Sequence, residues 1–152
     1  MTKIDITRRT AFVAGALGAF AAAGLTAKTA AAYVPTETQA ANLKVVADFI
    51  AAWNTPDKAV TYLADDAAVR MVEDQPPVIG PAATTAAFKS FMGHGETIDV
   101  QILHSFTEGP VVTNIRVDTL KTPGKADQVF KVVGVFVVKK GKIKEWTDYL
   151  DV

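Results

Sequence analysis

The sequence predicts an α+β fold: three N-terminal helices packed on one face of a strongly curved, mixed and mostly antiparallel sheet. Three observations predict it. Apolar residues recur at three- and four-residue steps in the first half of the working domain. They switch to strict alternation in four long segments of the second half. Clusters of Gly, Pro and Lys separate those segments at hairpin spacing. Helices first and hairpin-linked strands afterwards place the helices together on one side of the sheet. A long sheet bent over helices makes a cone with one open mouth, and such a cone is a natural pocket.

The first 32 residues read as a targeting segment. Lys3, Arg8 and Arg9 form a positive start, and Phe12 to Thr26 is an uncharged run of mostly Ala, Gly, Leu, Phe and Val. Ala30-Ala31-Ala32 then offers small residues for cleavage. This order is that of a secretory signal peptide. The apolar run is shorter than the roughly 20 residues a membrane span needs. Thr7-Arg8-Arg9 with Phe12 close behind, and Lys28 before the cleavage site, point to the twin-arginine subtype. The expectation is an exported, periplasmic protein of one domain, residues 33–152, with no stable membrane insertion after cleavage.

Removing the signal changes the charge. The whole chain has 16 basic and 16 acidic residues, whereas residues 33–152 carry 12 and 15, a net of −3. No basic face for nucleic acid is predicted. The chain has no cysteine, which excludes disulfides and thiol nucleophiles, and the domain must stand on its hydrophobic core. His94 and His104 are the only histidines, which excludes a His-rich metal site. No metal and no cofactor is expected.

Along the domain, Thr38 to Trp53 has helical spacing, with Leu43, Val46, Ala47, Ile50 and Trp53 in one stripe. Thr55-Pro56 reads as an N-cap followed by proline at the first helical position, opening a short helix to about Ala64 that Asp65-Asp66 ends. Ala67 to Val72 reads as a short strand and Gln75-Pro76-Pro77 as loop. Gly80-Pro81 opens a third helix, Ala82 to Met92, anchored by Phe88 and Phe91 and stopped by Gly93-His94-Gly95. Four strands follow: Thr97 to Phe106, Val111 to Leu120, Gln128 to Val138 and Lys142 to Leu150.

Chemistry is concentrated in two of these strands. Val112, Asn114, Arg116, Asp118 and Leu120 share one face of the second. Trp146, Asp148 and Leu150 share a face of the last, and an Asp between Trp and Leu points to the covered side. A buried carboxylate is costly unless paired, and the planar fork of Arg can serve two carboxylates at once. Asp118, Arg116 and Asp148 therefore form a candidate acid–base constellation, because two carboxylates around one Arg can differ in protonation. The same alternation also fits a cross-strand ion pair on a wet face, with Asp148 near a fraying end.

Asn114-Ile115-Arg116-Val117-Asp118, Val133-Gly134-Val135-Phe136, Gly141-Lys142-Ile143 and Trp146-Thr147-Asp148-Tyr149-Leu150-Asp151 resemble, in order and spacing, the second half of limonene-1,2-epoxide hydrolase. The resemblance covers roughly Phe49 to Asp151, and that family belongs to the NTF2-like, SnoaL-like cone folds. It implies that Asp148 is the general base acting on water, Asp118 the general acid on the epoxide oxygen, and Arg116 the bridge that orients both. Water attacks carbon directly, without a covalent enzyme ester. A substrate site drawn from Val69, Met71, Asn114, Phe136 and Trp146 is implied for a small apolar molecule, and a homodimer through the outer sheet face.

The family places a Tyr and an Asn on the early strand to hold the water, where this chain has Val69 and Met71. Two further readings therefore stand beside hydrolysis. One is an isomerase or epoxide-opening cyclase that uses the acid–base pair without water. The other is a non-catalytic periplasmic binder of apolar ligands. Glu73 and Asp74 read as solvated loop charges and His104 as a surface or half-buried residue. Tyr62 and Tyr149 read as packed rings with wet hydroxyls. Trp53, Phe88, Phe91, Phe130, Phe136 and Trp146 read as core and pocket wall.

Overall fold

A computed structural model describes residues 33–93 and 95–150. The targeting segment expected over residues 1–32, His94 and Asp151 lie outside the described residues.

The first helix, α1, spans Glu37–Ala51. Thr36 caps it: its hydroxyl accepts from the Gln39 N–H, and the Gln39 side chain accepts from the Thr36 N–H. That reciprocal pair fixes the start of the helix. The buried stripe is Gln39, Asn42, Val46, Phe49 and Ile50. Phe49 lies in it and Ala47 is exposed, so the stripe is turned slightly from the one expected. Trp53 follows the helix in a turn and is buried. Asn54 pins that turn to the sheet, its amide donating to the Ile98 carbonyl and its oxygen accepting from the Ile98 N–H, both at 2.8 Å.

The second helix is shorter than expected. α2 covers Pro56–Ala59, a 3-10 turn continues over Val60–Tyr62, and β1 runs Leu63–Arg70. Asp65 and Asp66 thus sit inside a strand rather than ending a helix. The physical reason is a long-range pairing: β1 runs parallel to β6, Lys142–Leu150, and Asp66 forms an ion pair with Lys144. A two-residue strand β2, Val78–Ile79, pairs antiparallel with β1 just after the prolines read as loop. The third helix α3 spans Gly80–Phe91, and β3 (Thr97–Glu108), β4 (Val111–Lys121) and β5 (Gln128–Lys139) complete the chain before β6.

The strand order is β2-β1-β6-β5-β4-β3, mixed through the single parallel pair β1–β6. The sheet is open, with β2 and β3 as its two edges. The strongly curved, closing cone expected from the sequence is therefore not what forms. Strong bending requires repeated bulges or glycine kinks. Here the β4–β5 ladder runs from Val111↔Val137 to Leu120↔Gln128 without a register shift. The neighbouring ladders shift only once each, between Ile102 and His104 and between Val137 and Val138.

The helices cover one face of the sheet. Phe49 packs edge-on against Trp53, Phe136 and Trp146, with ring centroids 5.8, 6.2 and 5.2 Å away. Phe136 and Trp146 are directly opposite in the β5–β6 ladder and stack at 7°. Burying each such ring contributes about 1.5–3 kcal/mol, and edge-to-face pairs add about 0.5–1.5 kcal/mol. This aromatic cluster is the wall against which the polar residues of β4 and β6 are held.

Candidate active site

Alternation on β4 turns Val112, Asn114, Arg116, Asp118 and Leu120 to the covered face, and all five are buried. The same alternation on β6 buries Trp146 and Asp148. Arg116 has no exposed surface, so its charge depends entirely on partners within the protein.

Those partners are specific. Arg116 Nε lies 3.0 Å from both carboxylate oxygens of Asp118. Nη1 donates to Asn114 Oδ1 at 2.9 Å, and Nη2 donates to Asp148 Oδ2. The guanidinium also lies over the Trp53 ring, 4.9 Å from its centroid, a favourable place for a cation. Asp148 Oδ1 accepts from the Trp146 indole N–H at 2.6 Å. The guanidinium therefore bridges the two carboxylates.

A cavity of about 320 Å³ opens on this group, and both Asp118 and Asp148 line it. Apart from them and the indoles of Trp53 and Trp146, its lining is apolar: Met71, Val72, Phe88, Phe91, Met92, Ile98, Phe130, Val132 and Leu150. The two carboxylates are thus the concentrated polarity of an apolar pocket.

Burial pushes the Asp148 carboxyl up to about 6. The Arg116 charge and the hydrogen bonds from Arg116 and Trp146 pull it back, while the nearby Asp118 pushes the same way as burial. Asp118 is also raised by burial, against the pull of Arg116. With one proton on the pair, the two carboxyls and Arg116 are neutral together; with none, an apolar pocket holds a net negative charge. The donors to the two carboxyls differ. Asp148 receives separate donors from Arg116 and Trp146, whereas Asp118 receives only the Nε–H, shared between its oxygens. Hydrogen bonding to the charged form offsets the burial of Asp148 only in part, and its carboxyl stays the more strongly raised of the two. Two carboxyls raised by burial and held on one guanidinium can exchange a proton with a molecule in the cavity.

The substrate residues expected from the sequence separate into three groups. Met71 and Trp146 line the cavity. Val69 and Phe136 are fully buried in the core and absent from the cavity wall. Asn114 is behind the site, holding Arg116 rather than facing the cavity. Glu73 is half-buried, and its carboxylate accepts from the Leu150 N–H at 3.4 Å; Asp74, His104 and Tyr149 are exposed, and Tyr62 packs against the core. Sequence reading assigned Trp53 to core or wall and missed its place under the guanidinium. No pattern in the sequence carries that contact, because the turn after α1 and β4 meet only in the fold. Among the described residues, no group of three or more His, Asp or Glu side chains comes together as a metal site.

Residues 40–152 match the limonene-1,2-epoxide hydrolase catalytic domain model. No curated protein matches the sequence. Among solved structures, a limonene-epoxide-hydrolase-like epoxide hydrolase from M. tuberculosis is 26% identical, with a TM-score of 0.67 over 75% of this chain and 85% of that one. A SnoaL-like protein from Shewanella denitrificans is similar at 20% identity and a TM-score of 0.65, over 72% and 90% of the two chains. An NTF2-like protein from Cytophaga hutchinsonii is similar at 20% identity and a TM-score of 0.56, over 72% and 89%. With its buried Asp–Arg–Asp network on this α+β fold, the chain belongs to the limonene-1,2-epoxide hydrolase catalytic domain family.

Proposed function

We propose that this protein opens a small apolar epoxide in one step by acid–base catalysis. The observation that carries the reading is the single buried guanidinium of Arg116 between Asp118 and Asp148 in an apolar cavity. Asp148 takes a proton from water as the water oxygen bonds to a ring carbon. The ring C–O bond breaks toward oxygen, and Asp118 gives that oxygen its proton. The product is a diol, and the proton now on Asp148 must be replaced on Asp118 before the next turn. Arg116 keeps both carboxyls oriented throughout, and ring strain supplies driving force.

A second reading has its own support. Val69 is core and Met71 is an apolar wall, so neither residue offers a hydrogen bond to water. The same acid–base pair then suits an internal nucleophile or proton shift, giving an isomer or cyclised product.

Turnover of a panel of small apolar epoxides in ¹⁸O-labelled water separates the readings. Hydrolysis gives a diol with one labelled oxygen. Ring opening without water gives unlabelled product of unchanged mass. Saturable binding with no turnover removes both and leaves a binder of apolar ligands.

The same proposal places the protein in the periplasm, on the strength of Arg8-Arg9 and Ala30-Ala31-Ala32, and as a homodimer. Ile115 and Tyr149 are exposed on the sheet face away from the helices, as is Phe106 on β3, which supports an apolar interface there. Fractionation of the full-length chain and light scattering of the mature one test these two points.

A further inference from the structure

Gly134 lies inside β5, directly opposite Asn114 on β4 and Asp148 on β6. Nothing in its backbone calls for glycine. Its φ is outside the left-handed region that Gly95, Gly109, Gly124 and Gly141 occupy, and neither ladder shifts register there. Glycine inside a strand costs stability relative to residues with a side chain.

Space explains it. A Cβ on residue 134 would lie 2.2 Å from Arg116 Nη1, 2.8 Å from Asn114 Oδ1 and 2.9 Å from the edge of the Phe136 ring. Neighbouring strands are about 4.8 Å apart, so a side chain rooted on β4 must pass over β5 to reach β6. Arg116 does so over residue 134. It has no exposed surface to retreat into, and yielding to a Cβ means leaving Asn114 or Asp148.

We propose that Gly134 is a positioning residue: its missing side chain is the passage by which Arg116 crosses β5, so that one guanidinium holds Asp118 and Asp148 together. The expected effect on rate rests on the epoxide-opening reading; the geometric claim does not.

Gly134→Ala tests it with two readouts beyond activity. The first is the titration of Asp148, followed by carboxyl ¹³C resonances. Losing the guanidinium should move its midpoint upward from about 6. The second is a thermal-unfolding cycle with Arg116→Lys, which keeps a cation and removes Nη1. Gly134→Ala should lower the melting temperature beside Arg116. Beside Lys the loss should be smaller, since only the contacts with Asn114 Oδ1 and the Phe136 ring then remain. Ring-opening kcat should fall at least about 100-fold, the scale set by a misplacement near 1 Å.

An unchanged Asp148 midpoint overturns the proposal, and so does an equal loss of melting temperature in both backgrounds. If Gly134→Ala alone does not fold, Arg116→Lys with and without it decides. A wild-type protein that opens no epoxide, yet shows the expected midpoint shift and cycle, sinks the functional reading and leaves the passage standing.

Discussion

The indole N–H of Trp146 donates to Asp148 at 2.6 Å from two residues earlier on the same strand. The contact is local in sequence but points into the site, because residues two apart share a strand face. It stabilises the ionised form of Asp148 against the burial that raises its pKa to about 6. Trp146→Phe keeps a ring against Phe136 and removes the donor. A hydrogen bond to a charged group is worth about 1.5–3 kcal/mol, so the Asp148 pKa should rise by about one to two units. The acid-side limb of the pH–rate profile should move upward by that amount. A limb that stays in place would show that Asp148 is not the base or that the indole does not tune it.

The same burial makes a signed prediction for stability. Asp148 titrates near 3.8 when unperturbed and at about 6 in the fold. Between those values the native state binds more protons than the unfolded chain, so stability falls as pH rises. The contribution is present in full below 3.8 and lost through about 6, a change on the order of 3 kcal/mol. Asp148→Asn removes it. Denaturant midpoints of the two proteins should therefore diverge between pH 4 and 7, with the variant gaining relative stability as pH rises. Turnover should be abolished in the same variant, because an amide cannot accept the water proton. A constant gap between the two curves would mean that Asp148 titrates normally in the fold.

What could be read beforehand follows the range of each signal. The inward face of β4 and the place of Asp148 beside Trp146 are period-two facts, visible in a few residues. The open sheet is not, because alternation identifies strands without saying how often their ladders kink. Asp65 and Asp66 looked like a helix stop because the strand that pairs with theirs comes some eighty residues later. Asn114 looked like a substrate contact, since its face was legible and the guanidinium beside it was not. Gly134 stood in a valine-rich run with no mark of its purpose, which depends on a side chain from the adjacent strand passing over it on the way to the next.

Asn114 offers a third test. Its Oδ1 accepts from Arg116 Nη1 at 2.9 Å, while its own Nδ2 is buried without a partner among the described residues. Asn114→Ala strands a buried guanidinium N–H and should cost about 1–3 kcal/mol of stability. Since Asn114 is outside the cavity wall, KM should change little while kcat falls about 10- to 100-fold through a loosened Arg116. Asn114→Ser, which retains an acceptor, should recover part of kcat. A KM effect without a kcat effect would return Asn114 to the role of substrate contact.

Val69 and Met71, which the resemblance sets where a water would be held, are not equivalent in this fold. Val69 has no exposed surface and packs in the core, whereas Met71 stands in the cavity wall with Asp148. Enlarging Val69 to Tyr overpacks the core, at a cost of about 1–3 kcal/mol or more, and brings no hydroxyl to the cavity. Met71→Asn instead adds a donor and an acceptor to the wall. If water access limits hydrolysis, Met71→Asn should raise the ratio of ¹⁸O-labelled diol to water-free product about tenfold, the worth of one net hydrogen bond. Val69→Tyr should lower the melting temperature and leave that ratio alone. A Met71→Asn variant that binds the epoxide but keeps the wild-type product ratio would mean that water is not limited at this wall. The position of the nucleophile would then be set by Asp148 and its two donors alone.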